Sequence, residues 1–422
     1  MARGSSTGAV GAVAGILLLA IACGDSGDDG DAGAATGSST STGPGEEGTR
    51  GPDPTTGDDT GELDDTGTTT AADEESTGEP PPAEGSFWVF VSVTGGVSAW
   101  SMDPATGELT FVREQPFDGP GGPLAVDPEQ RSLYVAVRGA SRADAYAIDQ
   151  VSAELTPTGQ VDLGLDPVYL STDGSGRHLL TATFGGDQLA IFPIAADGSL
   201  GGAATQVLGT ADEPHSILTD GSNQWLFVPH RTPDVIDQYA FDPATGTVTP
   251  NAIPQAVATA GSGPRHMVFH PDATHAYVAN EFSDSVSTWA FDGATGQLAL
   301  QSTVSTLPEG FPGDSNTCAD VHVTPDGRFV YVSNRGHDSI AMFSVDPGTG
   351  DLTALGQEPT EPRPREFEVS PRGRYLYAAG QDSGRVAGYA IDPTTGTLTP
   401  GSSYDVGDGP LWVLAIELPP TE

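Results

Sequence analysis

Five arginines, Arg138, Arg231, Arg265, Arg335 and Arg365, fall at two equivalent places of a repeated segment. A guanidinium group is a planar fork of donors that matches a carboxylate or a phosphate. Two titratable residues share those places, His215 and Glu281. A histidine moves a proton near neutral pH. A carboxylate among arginines serves as a base or as their counter-ion. Together they describe a site that holds a small anion and has the means to activate water.

The repeat that positions them begins at Phe87. Each unit is a short apolar strand ending near a Pro or Gly landmark, an alternating strand, a third strand, and then Asp-Pro-x-Thr-Gly-x-Leu-Thr or a close variant. The landmarks Pro128, Gly174, Gly221, Pro271, Pro325 and Pro371 lie 46, 47, 50, 54 and 46 residues apart. A four-stranded unit of that period predicts a β-propeller blade. Seven third strands can be counted, around Ala99, Tyr146, Ile191, Tyr239, Trp289, Phe343 and Tyr389. The first unit lacks an inner strand, and the segment Pro410 to Leu418 is an inner strand without a blade. The sequence therefore predicts an all-β, seven-bladed propeller over 86–420, closed by its C-terminal strand, which removes open sheet edges.

Spacing defines two rings. Ring one, at the start of the inner strand, reads Gly122, Val168, His215, Arg265, Ala319, Arg365 and Leu411. Ring two, ending the next strand, reads Thr94, Arg138, Phe184, Arg231, Glu281, Arg335 and Gln381. The two strands are antiparallel neighbours, so both rings are expected at one end of the propeller, at the channel mouth. Inter-blade salt bridging, with Arg paired to Glu281, Asp320 or Glu366, is expected to absorb one or two of the five arginines. His322 and His337 flank Arg335 as further candidates. His270 replaces a turn aspartate, and His178, His230 and His275 read as loop or surface residues.

Charge excludes several functions. The 422 residues carry 58 acids against 16 bases, a formal charge of -42, and every base is Arg. Nucleic acid and anionic membrane surfaces would repel such a chain, and the lack of Lys excludes Schiff-base chemistry. The repeated aspartates read as turn formers beside Pro and Gly. No Asp/His/Cys grouping has metal-ligand spacing, so neither a metal nor a cofactor is expected.

Residues 1–22 read as an export signal whose apolar run, Val10 to Ile21, is too short to span a membrane. The run ends in Leu19-Ala20-Ile21-Ala22-Cys23, similar to a bacterial lipobox, so Cys23 is the expected lipid attachment and the only membrane link. An ordinary secretory signal is the other reading. Residues 23–85 carry acids, Gly, Ser, Thr and Pro with almost nothing apolar, and are expected to be a disordered tether. Cys318 reads as a small buried side chain. The protein is expected to be a monomer on the cell envelope.

The stretches Gly263–Pro271, Tyr277–Glu281, Thr317–Val323 and Ser333–Ile340 resemble the lactonase family of seven-bladed propellers, which includes a bacterial 6-phosphogluconolactonase and a carboxy-muconate lactonizing enzyme. The resemblance spans about 87 to 418. It implies lactone hydrolysis, with His215, Arg265, Glu281 and Arg335 as catalytic residues. Arg138, Arg231, Arg365, His337 and Gln381 are then expected to bind the anion of a small lactone or sugar acid. Two stretches depart from the family pattern, Thr94-Gly95-Gly96 and His230-Arg231-Thr232-Pro233, and both point to a different substrate. A non-catalytic envelope propeller that binds a small anion or a protein is the alternative, and reversible lactonisation of an unsaturated diacid a third.

Overall fold

The computed structural model describes residues 85–420. The expected signal segment, the tether and Cys23 lie outside these residues, apart from Gly85. The described residues form seven four-stranded antiparallel sheets. Six are made of consecutive strands. In the remaining one, the C-terminal strand Trp412–Leu418 pairs antiparallel with Ser86–Val93, from Ser86 opposite Leu418 to Ser92 opposite Trp412. The chain's end thus supplies the inner strand that its first blade lacks, and the ring closes as the sequence predicts.

Apolar faces of neighbouring blades pack against each other. Trp88, Phe90 and Ile416 of the first blade meet Leu133, Val135 and Tyr146 of the second. Phe87, Val89 and Val413 meet Tyr377, Ala379 and Val386 of the seventh. The second-strand residues Phe90, Val135, Val228, Val278, Val332 and Ala378 are fully buried, because in an inner strand pair both faces of the sheet are covered.

A recurrent clasp joins neighbouring blades. In the Asp-Pro-x-Thr-Gly turns the aspartate Oδ1 accepts from backbone N–H groups two or three residues on, as in Asp103 with Ala105 at 2.8 Å and Asp392 with Thr394 at 2.8 Å. The turn glycine then has positive φ (Gly296, 66°) and lies against the preceding blade, where a Cβ would fall 2.1 Å from Trp225 Cδ2. A buried tyrosine completes the clasp. The hydroxyl of Tyr277 donates to the Gly350 carbonyl at 3.0 Å, Tyr331 to Gly396 at 2.9 Å and Tyr377 to Gly107 at 2.7 Å. The last of these crosses from the seventh blade to the first. The repeated motif is thus an inter-blade joint, with its aspartates spent on backbone hydrogen bonds.

Candidate functional site

Backbone hydrogen bonds bring the two rings together. Ring-two amides donate to carbonyls two residues before ring one: Arg138 to Pro120 (3.0 Å), Arg231 to Glu213 (3.1 Å), Glu281 to Gly263 (2.7 Å) and Gln381 to Arg363 (3.1 Å). Arg335 pairs likewise with Thr317.

At the centre stands Glu281, 2% exposed. Its Oε1 accepts from Arg231 Nη1 at 2.8 Å and from Arg335 Nη2 at 2.9 Å, and its Oε2 lies 3.2 Å from Arg265 Nε. The three arginines come from the fourth, fifth and sixth blades, so one carboxylate ties three sheets. Salt bridging therefore absorbs three ring arginines, where the sequence suggested one or two, because a carboxylate offers about four lone-pair sites. Each arginine has a further anchor. Arg265 Nη1 donates to the Ala319 carbonyl at 2.5 Å and Arg335 Nη2 to that of Cys318 at 3.3 Å. The Arg231 guanidinium lies 4.5 Å from the Phe184 ring centroid and 5.2 Å from that of Phe282, a cation–π setting.

His215 is 1% exposed and its Nδ1 has no hydrogen-bond partner. Its ring lies edge-on to Phe184 at 6.1 Å and tilted to His266 at 5.4 Å. Burial holds its pKa well below the usual histidine value, and Arg265, His266, Arg231 and Arg365 push the same way. His215 is therefore an uncharged imidazole beside a cationic cluster.

The outlying candidates are placed differently. Arg365 is half-buried and close enough to act on His215. Arg138 and Gln381 hold the ring-two places of the second and seventh blades, and Gln381 Oε1 is buried without a hydrogen-bond partner. His337 belongs to a loop: its Nδ1 contacts Ser339 Oγ at 2.7 Å and its ring stacks edge-on to Phe311 at 4.7 Å. Two readings need correction. His178 and His230 sit in strands and are buried, His230 completely, with its Nδ1 3.0 Å from the Asp212 carbonyl and its Nε2 3.1 Å from Asp237. Cys318 is buried as expected, and burial pushes its thiol up to about 12.

Spacing missed the residues next to ring one. Register shifts fall between Pro264 and Met267, Cys318 and Val321, and Pro364 and Glu366. Such bulges re-aim consecutive side chains. They bring His266, Asp320 and Glu366 into one buried group beneath the ring arginines. His266 Nδ1–H donates to Asp320 Oδ1 at 2.8 Å and lies 3.9 Å from Glu366 Oε2. Asp320 Oδ2 is held by His322 Nε2 at 2.9 Å, whose Nδ1 lies 3.3 Å from Glu368. Burial lowers His266 to about 3, helped by Arg265, and raises Glu366 well above its usual range, helped by Asp320. Burial opposes the His322 cation, but Asp320 and Glu368 override it and hold its pKa well above normal. A grouping with metal-ligand chemistry thus exists, contrary to the sequence reading, because it is assembled across three blades. The signal was the run Tyr169, Ser216, His266, Asp320, Glu366, Trp412, one place after ring one.

Residues 89–415 match the family described as lactonase, seven-bladed β-propeller. The chain belongs to that family. It is 37% identical over 322 residues to a 6-phosphogluconolactonase of Pectobacterium carotovorum, covering 76% of this chain and 96% of the relative. It is 38% identical over 320 residues to a 6-phosphogluconolactonase of Sodalis glossinidius, covering 76% and 95%. Among solved structures, a periplasmic gluconolactonase of Pseudomonas aeruginosa superimposes with a TM-score of 0.73 at 28% identity, over 79% of this chain and all of that one. Membership of the lactonase family places the chain among the hydrolases.

Proposed function

We infer that the chain hydrolyses a small anionic lactone at the ring mouth, a sugar-acid or otherwise carboxylated one. The observation that carries this reading is the fixed triad of guanidinium groups around Glu281 beside a neutral, buried imidazole. Glu281 acts as counter-ion: both of its oxygens face arginines, which orients their remaining N–H groups. Those donors, with Arg138, Arg365 and Gln381, bind the substrate's anion and meet the developing oxyanion without reorganising.

His215 does the proton work. It accepts a proton from water as the water oxygen attacks the lactone carbonyl carbon. The imidazolium formed lies beside the new oxyanion, which offsets the arginines that otherwise disfavour it. Collapse of the tetrahedral intermediate breaks the ring C–O bond, and His215 returns the proton to the alkoxide. One water and one lactone give one hydroxy acid.

Export and lipid attachment at Cys23 are part of the proposal, and they favour an unphosphorylated substrate over a cytoplasmic sugar phosphate. Metabolic labelling of the full chain with a radioactive fatty acid should mark wild type and not Cys23→Ala. The substrate class is tested with paired lactones that differ only in a carboxylate. Preference for the charged member by about tenfold or more, the worth of one charge-assisted contact, is expected; equal rates would remove the anion site from the reading. Binding of the hydroxy acid without turnover of any lactone would favour the non-catalytic propeller.

A further inference from the structure

We propose that His266, Asp320 and Glu366 form a binding site for one divalent transition-metal ion inside the channel, beneath the Glu281 cluster. The three side chains are 2%, 3% and 3% exposed, and each offers one ligand atom within 4.8 Å of the others. One imidazole with two carboxylates is a donor set suited to zinc and its neighbours.

The separations bracket those that an ion imposes. Ligand atoms about 2.0–2.2 Å from a zinc ion lie roughly 3–3.5 Å from one another. His266 Nδ1 is 2.8 Å from Asp320 Oδ1 and 3.9 Å from Glu366 Oε2, on either side of that range. The ion takes the place of the proton between His266 Nδ1 and Asp320, which leaves the ring proton on Nε2.

A second observation points to a missing ligand. Glu366 Oε2 is buried and has no hydrogen-bond partner, a costly state for a buried polar atom. The ligands are also pre-aimed. His322 Nε2 at 2.9 Å and the Phe367 amide at 3.3 Å hold Asp320 Oδ2, which turns Oδ1 toward His266. Outer-shell support of this kind is what orients metal-binding carboxylates and histidines. The ligands come from the fifth, sixth and seventh blades, so the ion would pin three inner strands under the arginines.

The test is calorimetric titration of the metal-stripped full chain with zinc chloride, in excess magnesium to occupy the acidic N-terminal stretch. Wild type is compared with Glu366→Gln and Asp320→Asn, each checked for an intact fold by circular dichroism. Cys23 and the acidic stretch are common to all three, so the difference reads the channel site. The expected result is one high-affinity zinc per wild-type chain and a loss of at least about tenfold in either variant. Zinc should also raise the melting temperature of wild type and not of Glu366→Gln. No high-affinity zinc in wild type, or the same affinity in both folded variants, would overturn the proposal. The readout is binding, so it stands apart from any failure to find a lactone substrate.

Discussion

Arg265 and Glu281 face each other within a single blade, Nε to Oε2 at 3.2 Å, one at the start of the inner strand and the other just past the end of its neighbour. Both are about 98% buried. The pair is the hub onto which Arg231 and Arg335 converge from either side.

Replacing Glu281 by Gln removes the charge that three guanidinium groups share, with Glu213 still 3.5 Å from Arg231. Breaking a buried ion pair from one side costs about 3–5 kcal/mol, and urea denaturation should show a loss of that order. Stability equal to wild type would mean that the cluster is not held by this carboxylate.

Arg365 disfavours the protonated form of His215, whose pKa it helps to lower. Removing that charge lets the pKa rise. The acid limb of kcat/KM, expected below pH 6.5 in wild type, should therefore move to higher pH in Arg365→Ala. KM for an anionic lactone should rise by about tenfold, one charge-assisted hydrogen bond. An unmoved limb would separate Arg365 from His215.

The inter-blade clasp makes Gly296 sensitive. Its φ of 66° disfavours any side chain, and a Cβ would meet Trp225 at 2.1 Å. Gly296→Ala should destabilise the propeller by about 1–3 kcal/mol, read as a lowered urea midpoint with an unchanged slope. A neutral effect would show that the turn can shift at no cost.

High pH should unfold the protein. Burial raises Tyr134, Tyr146 and Tyr389 to about 12, and Cys318 to about 12 as well. For groups raised in the fold, the unfolded chain loses its protons first, so their stability contribution is complete below the unfolded values and is lost as pH rises through about 12. Melting temperature should fall progressively above pH 10 for the tyrosines, with phenolate absorbance appearing together with unfolding. Phenolate formation in a still-folded protein between pH 10 and 11 would contradict this.

The propeller was legible because its turns repeat their chemistry: an aspartate that caps backbone amides and a glycine that must take positive φ mark every joint that carries them. The two rings were legible because antiparallel pairing fixes which strand positions coincide. His266 and Glu366 were not found as site residues. In a regular strand, residues one apart point to opposite faces, so Glu366 read only as a salt-bridge partner for the ring arginines and His266 was given no role. The bulges break that alternation, and a bulge leaves no mark in residue spacing. The burial of His178 and His230 was hidden for a similar reason, since polar residues at strand ends read as surface until Asp173 and Asp237 are seen beside them.

The most direct test of the lactonase reading is the hydrolysis of a carboxylated sugar lactone by wild type and by His215→Gln, followed as acid release at constant pH. Turnover by wild type, with kcat lowered about 10²- to 10⁴-fold in the variant and KM little changed, is the predicted result for a general acid–base. Equal kcat in the two proteins, with the variant folded, would contradict the assignment of proton transfer to His215.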